Sequence, residues 1–154
     1  MTFRRIHFIL LAAGGSATLM LAALAFQHLG GLPPCKLCIW QRYPHVIAIA
    51  IGAAALAVPG RALPLMGMVA ALTTGGIGIY HSGVERGWWE GPGTCTAADP
   101  GGLSTDQAFE QMMSAPLVRC DEIPWELLGL SMANWNVIAA LALAGLWAMA
   151  ARRG

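Results

Sequence analysis

Four long runs of this chain contain no aspartate, glutamate, lysine or arginine: residues 6–34, 43–60, 62–84 and 127–151. A helix of about 20 mainly apolar residues crosses the ~30 Å hydrocarbon layer of a bilayer, at ~1.5 Å per residue. Lipid offers a peptide group no hydrogen-bond partner, so each run must be helical where it faces hydrocarbon. The runs therefore predict spans near 8–27, 42–59, 62–82 and 132–150. The second is the tightest fit and ends abruptly at Pro59-Gly60. Only Arg61 and its immediate neighbours separate it from the third, so those two spans form an antiparallel hairpin. The expected fold is an all-α membrane protein, a four-transmembrane-helix bundle forming one domain over residues 1–154, with outer loops at 28–41 and 83–131.

Composition agrees. Of 154 residues, 56% are hydrophobic and 11% charged, and mean hydropathy is +0.59, whereas soluble domains carry about a quarter charged residues. A formal charge of +1 gives no general attraction for acidic partners, so no nucleic acid is expected among them. Met1–Arg5 followed by an apolar run also has the form of a signal peptide, with Ala23-Leu24-Ala25 as a cleavage site. That run exceeds the usual signal core of ~7–15 residues, so a retained first helix is expected.

Lysine and arginine near the span ends set orientation. Arg4, Arg5, Arg61, Arg152 and Arg153 fall on one side, assigned as cytoplasmic along with both termini. The opposite side holds Lys36, Arg42, Arg86 and Arg119, and all eight acids of the chain lie in the second outer loop. Trp40, Trp88, Trp89, Trp125 and Trp135 cluster toward that outer interface, where amphipathic rings settle.

The four cysteines share this outer face: Cys35 and Cys38 in the first loop, Cys95 and Cys120 in the second. An even number in a disulfide-permissive compartment suggests pairing. Cys35-Lys36-Leu37-Cys38 is a C-x-x-C at the start of the second span, a spacing that allows a small reversible disulfide ring. If a helix begins there, its N-terminal amides favour a thiolate, and Arg42, one turn beyond Cys38, adds a second positive influence. A static disulfide and half of a zinc site are the alternatives. The 25-residue separation of Cys95 and Cys120 lacks a second compact zinc knuckle, so no metal is expected. A bridge between them, in a Gly- and Pro-rich loop, is expected to be exposed and exchangeable. Two pairs on one face suggest a thiol relay at the membrane edge.

At this point the residues resemble the DsbB family, quinone-reducing inner-membrane thiol oxidases of disulfide bond formation. The resemblance lies in Pro34-Cys35-Lys36-Leu37-Cys38-Ile39-Trp40-Gln41-Arg42, in the second-loop pair, and in Trp125-Glu126-Leu127-Leu128-Gly129-Leu130. It implies that Cys95 is attacked by a reduced, periplasmic DsbA-like thioredoxin-fold partner, with Cys120 its mate. It further implies that Cys35 exchanges with that pair and that Cys38 is the thiolate beside a membrane quinone, ubiquinone or menaquinone. Arg42 matches the family's quinone-site arginine. His81 and Glu85, at the outer end of the third span, either line the quinone pocket and assist protonation or are water-satisfied interfacial groups. His28 and His45 are expected to be structural. The implied setting is a bacterial inner membrane crossed several times, with the cysteine loops periplasmic.

Ser104 and Gln107 fit a capping box ahead of Ala108, Phe109, Met112 and Met113, predicting a short amphipathic helix on the outer membrane surface. Pro124 predicts a further helical turn before the fourth span. Two rivals remain. A vitamin-K-epoxide-reductase-like enzyme is disfavoured because there the loop cysteines precede the C-x-x-C. A non-enzymatic membrane scaffold would hold two static disulfides.

Overall fold

The computed structural model describes residues 3–92 and 118–153. Among them are four helices, α1 (Phe3–His28), α2 (Lys36–Ala57), α3 (Ala62–Glu85) and α4 (Met132–Ala151), and one hairpin of β1 (Glu126–Leu127) and β2 (Leu130–Ser131). Cys95 and the amphipathic helix expected near 104–113 lie outside the described residues.

Helix ends follow local chemistry. After α1, Gly31 takes φ 65°, and Pro33-Pro34 cannot continue a helix ladder. Helix α2 starts six residues ahead of the expected span because Cys35 caps it. The Cys35 backbone is extended and its Sγ accepts the Cys38 N–H, the place usually taken by a serine or aspartate oxygen. Gly60 turns the chain into α3 with φ 116°. Here Arg5, 1% exposed, donates from Nη2 to the carbonyls of Val58 and Gly60 at 3.2 and 3.0 Å.

Helices α1, α3 and α4 are long and apolar enough to cross a membrane. Helix α2 is not in that set, because its first turns carry Lys36, Gln41, Arg42 and His45. The helical turn expected after Pro124 is replaced by the hairpin, in which Leu127 pairs with Leu130. Leu128 and Gly129 have φ of 56° and 73°, the left-handed pair of a tight two-residue hairpin turn.

Helix α3 packs on α2 and α4, and α1 packs on both of those from the other side. The inner core is Ile9, Ala12, Ala55, Ala71, Leu143, Ala144, Trp147 and Ala150. Its small residues let backbones approach, the packing rule of membrane helices. Leu10, Leu11, Leu21, Val46, Ile47, Val69, Ile79 and Leu141 point outward and are exposed, an apolar exterior suited to lipid. Gln41, His45, Thr74, His81 and Ser131 are instead buried in the half of the bundle where α2 begins.

Candidate thiol site

Cys35 and Cys38 are free thiols held one helical turn apart by the start of α2, with Sγ atoms 2.8 Å apart. Two sulfurs this close cannot both ionise. The hydrogen bond Cys35 donates to Cys38, then burial, then the charge on Cys38 hold the Cys35 thiol well above its ordinary value. Cys35 also accepts the Cys38 backbone N–H at 3.1 Å.

Cys120 is disulfide-bonded and 1% exposed. It joins Cys35, Leu37 and Val84 in one buried cluster, with Cys38 and Val118 packed against it. The expectation of an exposed second-loop bridge is thus corrected at Cys120. Residues 118–120 lie against the start of α2, and the apolar neighbours Leu37, Val84 and Val118 exclude water from the Cys120 sulfur. Arg119 stays outside, paired with Asp121 at 2.5 Å.

Helix α3 brings His81 to the same place. Its Nε2 lies 3.5 Å from Cys35 Sγ and 3.9 Å from Glu85 Oε1, and the ring also hydrogen-bonds to the Cys120 backbone. Glu85 accepts a 2.5 Å hydrogen bond from Ser131 Oγ, and Ser131 caps α4 by accepting the Asn134 N–H. His81 is 3% exposed, which argues against the water-satisfied interfacial alternative. Cys35, Cys38 and His81 place one donor atom each within 4.8 Å of one another.

Beside the thiols lies a cavity of about 310 Å³, within the ~300–1,000 Å³ range of small-molecule pockets. Its wall is largely apolar, with Leu19, Met20 and Phe26 from α1 and Trp135 from α4, and Cys38, Arg42 and His81 at its polar side. Phe26 packs on Trp125, ring centroids 5.2 Å apart, joining α1 to the second loop. Arg42 donates to Gln27 Oε1 at 2.7 Å and to the Ala23 carbonyl at 3.5 Å, so the guanidinium is fixed at the cavity edge. The result is an apolar chamber with an oriented cation and an adjacent thiol at its edge.

The structure therefore gathers Cys35, Cys38, Arg42, His81, Glu85 and Cys120 of the expected site, while Cys95 lies outside the described residues. Sequence reasoning missed Gln41, Asn136 and Ser131, while His45, expected to be structural, hydrogen-bonds to Asn136 at 2.9 Å. A signal existed for Asn136, since polar side chains inside membrane helices are costly and seek partners in the bundle.

Residues 4–150 match the family model described as DsbB, disulfide bond formation protein DsbB. A protein of Albidiferax ferrireducens named disulfide bond formation protein B is 32% identical over 141 residues, covering 82% of this chain and 79% of that one. One of the same name from Azoarcus sp. is 31% identical over 149 residues, covering 89% and 87%. An uncharacterised protein of Rickettsia prowazekii is 28% identical over 71% of this chain and 66% of its own. No solved structure matches.

Proposed function

The chain belongs to the DsbB family of disulfide bond formation proteins, and from that premise we propose that it reoxidises a periplasmic DsbA-like dithiol protein and delivers the two electrons to a membrane quinone. The balance is partner dithiol plus quinone giving partner disulfide plus quinol. One observation carries the reading: a Cys35–Cys38 dithiol lies in the same buried cluster as a disulfide-bonded Cys120. Electrons pass between such pairs by attack of a thiolate on a disulfide sulfur, one S–S bond breaking as another forms.

In this reading the partner's thiolate attacks Cys95 and displaces Cys120. The second-loop dithiol left after the partner departs is then reoxidised by exchange at Cys35, which displaces Cys38. A quinone bound in the cavity supplies a two-electron, two-proton acceptor that regenerates the Cys35–Cys38 disulfide. Cys38 faces that cavity, and Arg42 stabilises negative charge there through a rigid guanidinium. His81 and Glu85 sit where protons leave or reach the sulfurs. In this reading the chain crosses a bacterial inner membrane four times, α2 being the most polar crossing, and the arginines near the span ends support cytoplasmic termini and periplasmic cysteine loops.

The test mixes the purified protein in detergent with reduced DsbA-like partner and excess ubiquinone-1 or a short-chain menaquinone, following quinone loss by absorbance. Turnover that disappears in Cys38→Ser and in Cys95→Ser is the expected result. No turnover with either quinone, with both cysteine pairs inert to the partner, would leave a static scaffold and overturn the proposal.

A further inference from the structure

A directed chain of polar side chains runs from the middle of α2 to the thiols, through three helices. His45 Nε2 lies 2.9 Å from Asn136 Oδ1. Asn136 Nδ2 donates to Gln41 Oε1 at 2.8 Å, and Gln41 Nε2 lies 2.9 Å from His81 Nδ1. His81 Nε2 in turn faces Cys35 Sγ at 3.5 Å. Gln41, His45 and His81 are all buried.

The direction of this chain follows from two backbone carbonyls, which only accept. Leu37 O lies 3.2 Å from Gln41 Nε2, so that end of Gln41 is its NH₂ group. Thr74 O lies 3.3 Å from Asn136 Nδ2, which orients Asn136 in the same way. Thr74 Oγ1 donates to the Gln41 carbonyl at 2.9 Å and accepts from Asn136 at 3.1 Å, locking α3 onto both neighbours. With Gln41 donating, His81 Nδ1 must accept and carries no proton. The neutral ring then bears its proton on Nε2, the nitrogen that faces Cys35 Sγ, and shares it between that sulfur and the Cys120 backbone carbonyl. Likewise Asn136 Oδ1 accepts, so His45 Nε2 bears the proton of that ring.

We infer that Gln41, oriented by the Leu37 carbonyl and by Asn136, is a positioning residue that holds His81 in its Nε2–H tautomer so that the ring donates a hydrogen bond to Cys35 Sγ. The role rests on the thiol-oxidase reading of the site, although the tautomer itself does not. Cys35 Sγ then receives two donors, His81 Nε2–H and the Cys38 backbone N–H. Both favour its thiolate, the form in which Cys35 leaves the second-loop sulfur and from which the Cys35–Cys38 bond is re-formed.

The experiment reads the ring directly. The wild-type protein, reduced and labelled with ¹⁵N in its histidine rings, is observed by NMR in detergent, and the His81 and His45 signals are assigned by their loss in His81→Asn and His45→Asn. Both rings are expected to show a protonated Nε2 and an unprotonated Nδ1. A His81 ring protonated on Nδ1, alone or together with Nε2, overturns the inference without involving quinone or partner.

A second arm uses Gln41→Met, which keeps the side-chain length and removes the donor. The His81 signals should then lose their single-tautomer signature. In a Cys38→Ser background, maleimide modification of Cys35 should slow by roughly tenfold, as expected for loss of a hydrogen bond to a charged group. Unchanged His81 signals with an unchanged Cys35 rate would overturn it. If Gln41→Met does not fold, the wild-type spectrum decides alone.

Discussion

Nε2 of His81 and Sγ of Cys35 lie 3.5 Å apart, although 46 positions separate them in the chain. The contact exists because α3 runs antiparallel to α2 from the tight turn at Gly60, which returns the end of α3 to the level where α2 begins. The first cysteine of the C-x-x-C thereby acquires a neighbour from another helix, and its proton chemistry becomes a property of the packed bundle.

The first prediction concerns pH. In the reduced protein the Cys35 thiol is held up by its hydrogen bond to Cys38, by burial and by the charge on Cys38. Cys35 should therefore resist maleimide at neutral pH and react only as the solution becomes alkaline, while Cys38, the less buried of the two, reacts first. Removing Cys38 removes the largest of these causes. The alkylation midpoint of Cys35 should thus move to lower pH in Cys38→Ser, as mass spectrometry of samples quenched across a pH series would read. A midpoint unchanged by that substitution would contradict the shared-proton picture.

Arg42 is fixed at the cavity edge by Gln27 and the Ala23 carbonyl. Arg42→Leu should raise KM for quinone roughly tenfold or more, the loss expected for one hydrogen bond involving a charged group. Exchange with the dithiol partner in a single turnover without quinone should proceed at the wild-type rate. Equal damage to both half-reactions would make Arg42 a structural tie between α1 and α2.

Gly67 faces Trp147, and a Cβ built on it would come within 2.6 Å of the indole. Trp147 is fully buried, and its rigid ring has no flexible end to move aside. Gly67→Ala should cost about 1–3 kcal/mol, the usual range for overpacking, and lower the thermal midpoint in detergent. Gly76→Ala, where a Cβ meets nothing within 4 Å, is the matched control and should leave the midpoint in place.

Ser131 both caps α4 and donates to Glu85. Ser131→Ala should destabilise the protein by roughly 2 kcal/mol, from a lost cap and a lost hydrogen bond to a carboxyl group. Ser131→Thr retains the hydroxyl and should recover most of it. Equal thermal midpoints for the alanine variant and the wild type would show that the α3–α4 link carries no stability.

Most of the helical frame was legible in residue order. The solvent around a membrane helix tests each side chain almost one at a time, so runs without charge marked the helices to within a few residues at most ends. Cysteine order and the Pro-Cys-x-x-Cys-x-x-x-Arg segment likewise carried the family, because thiol exchange needs those groups at short, fixed spacing. The earlier start of α2 depended on a sulfur acting as a cap, for which serine and aspartate are the usual markers. The hairpin at 126–131 escaped because Leu128-Gly129 is a weak turn signal beside Asn-Gly.

Tertiary structure alone decided the rest. Burial of Cys120 against Cys35 depends on where a loop lands. The sequence of partners from His45 to Asn136, Gln41 and His81 depends on the rotation of three helices about their axes. Hydropathy fixes which segments enter the bilayer but is nearly indifferent to that rotation. The angles are set by small-residue contacts such as Gly67 on Trp147 and by the need of each buried polar group for a partner, and both involve residues far apart in the chain.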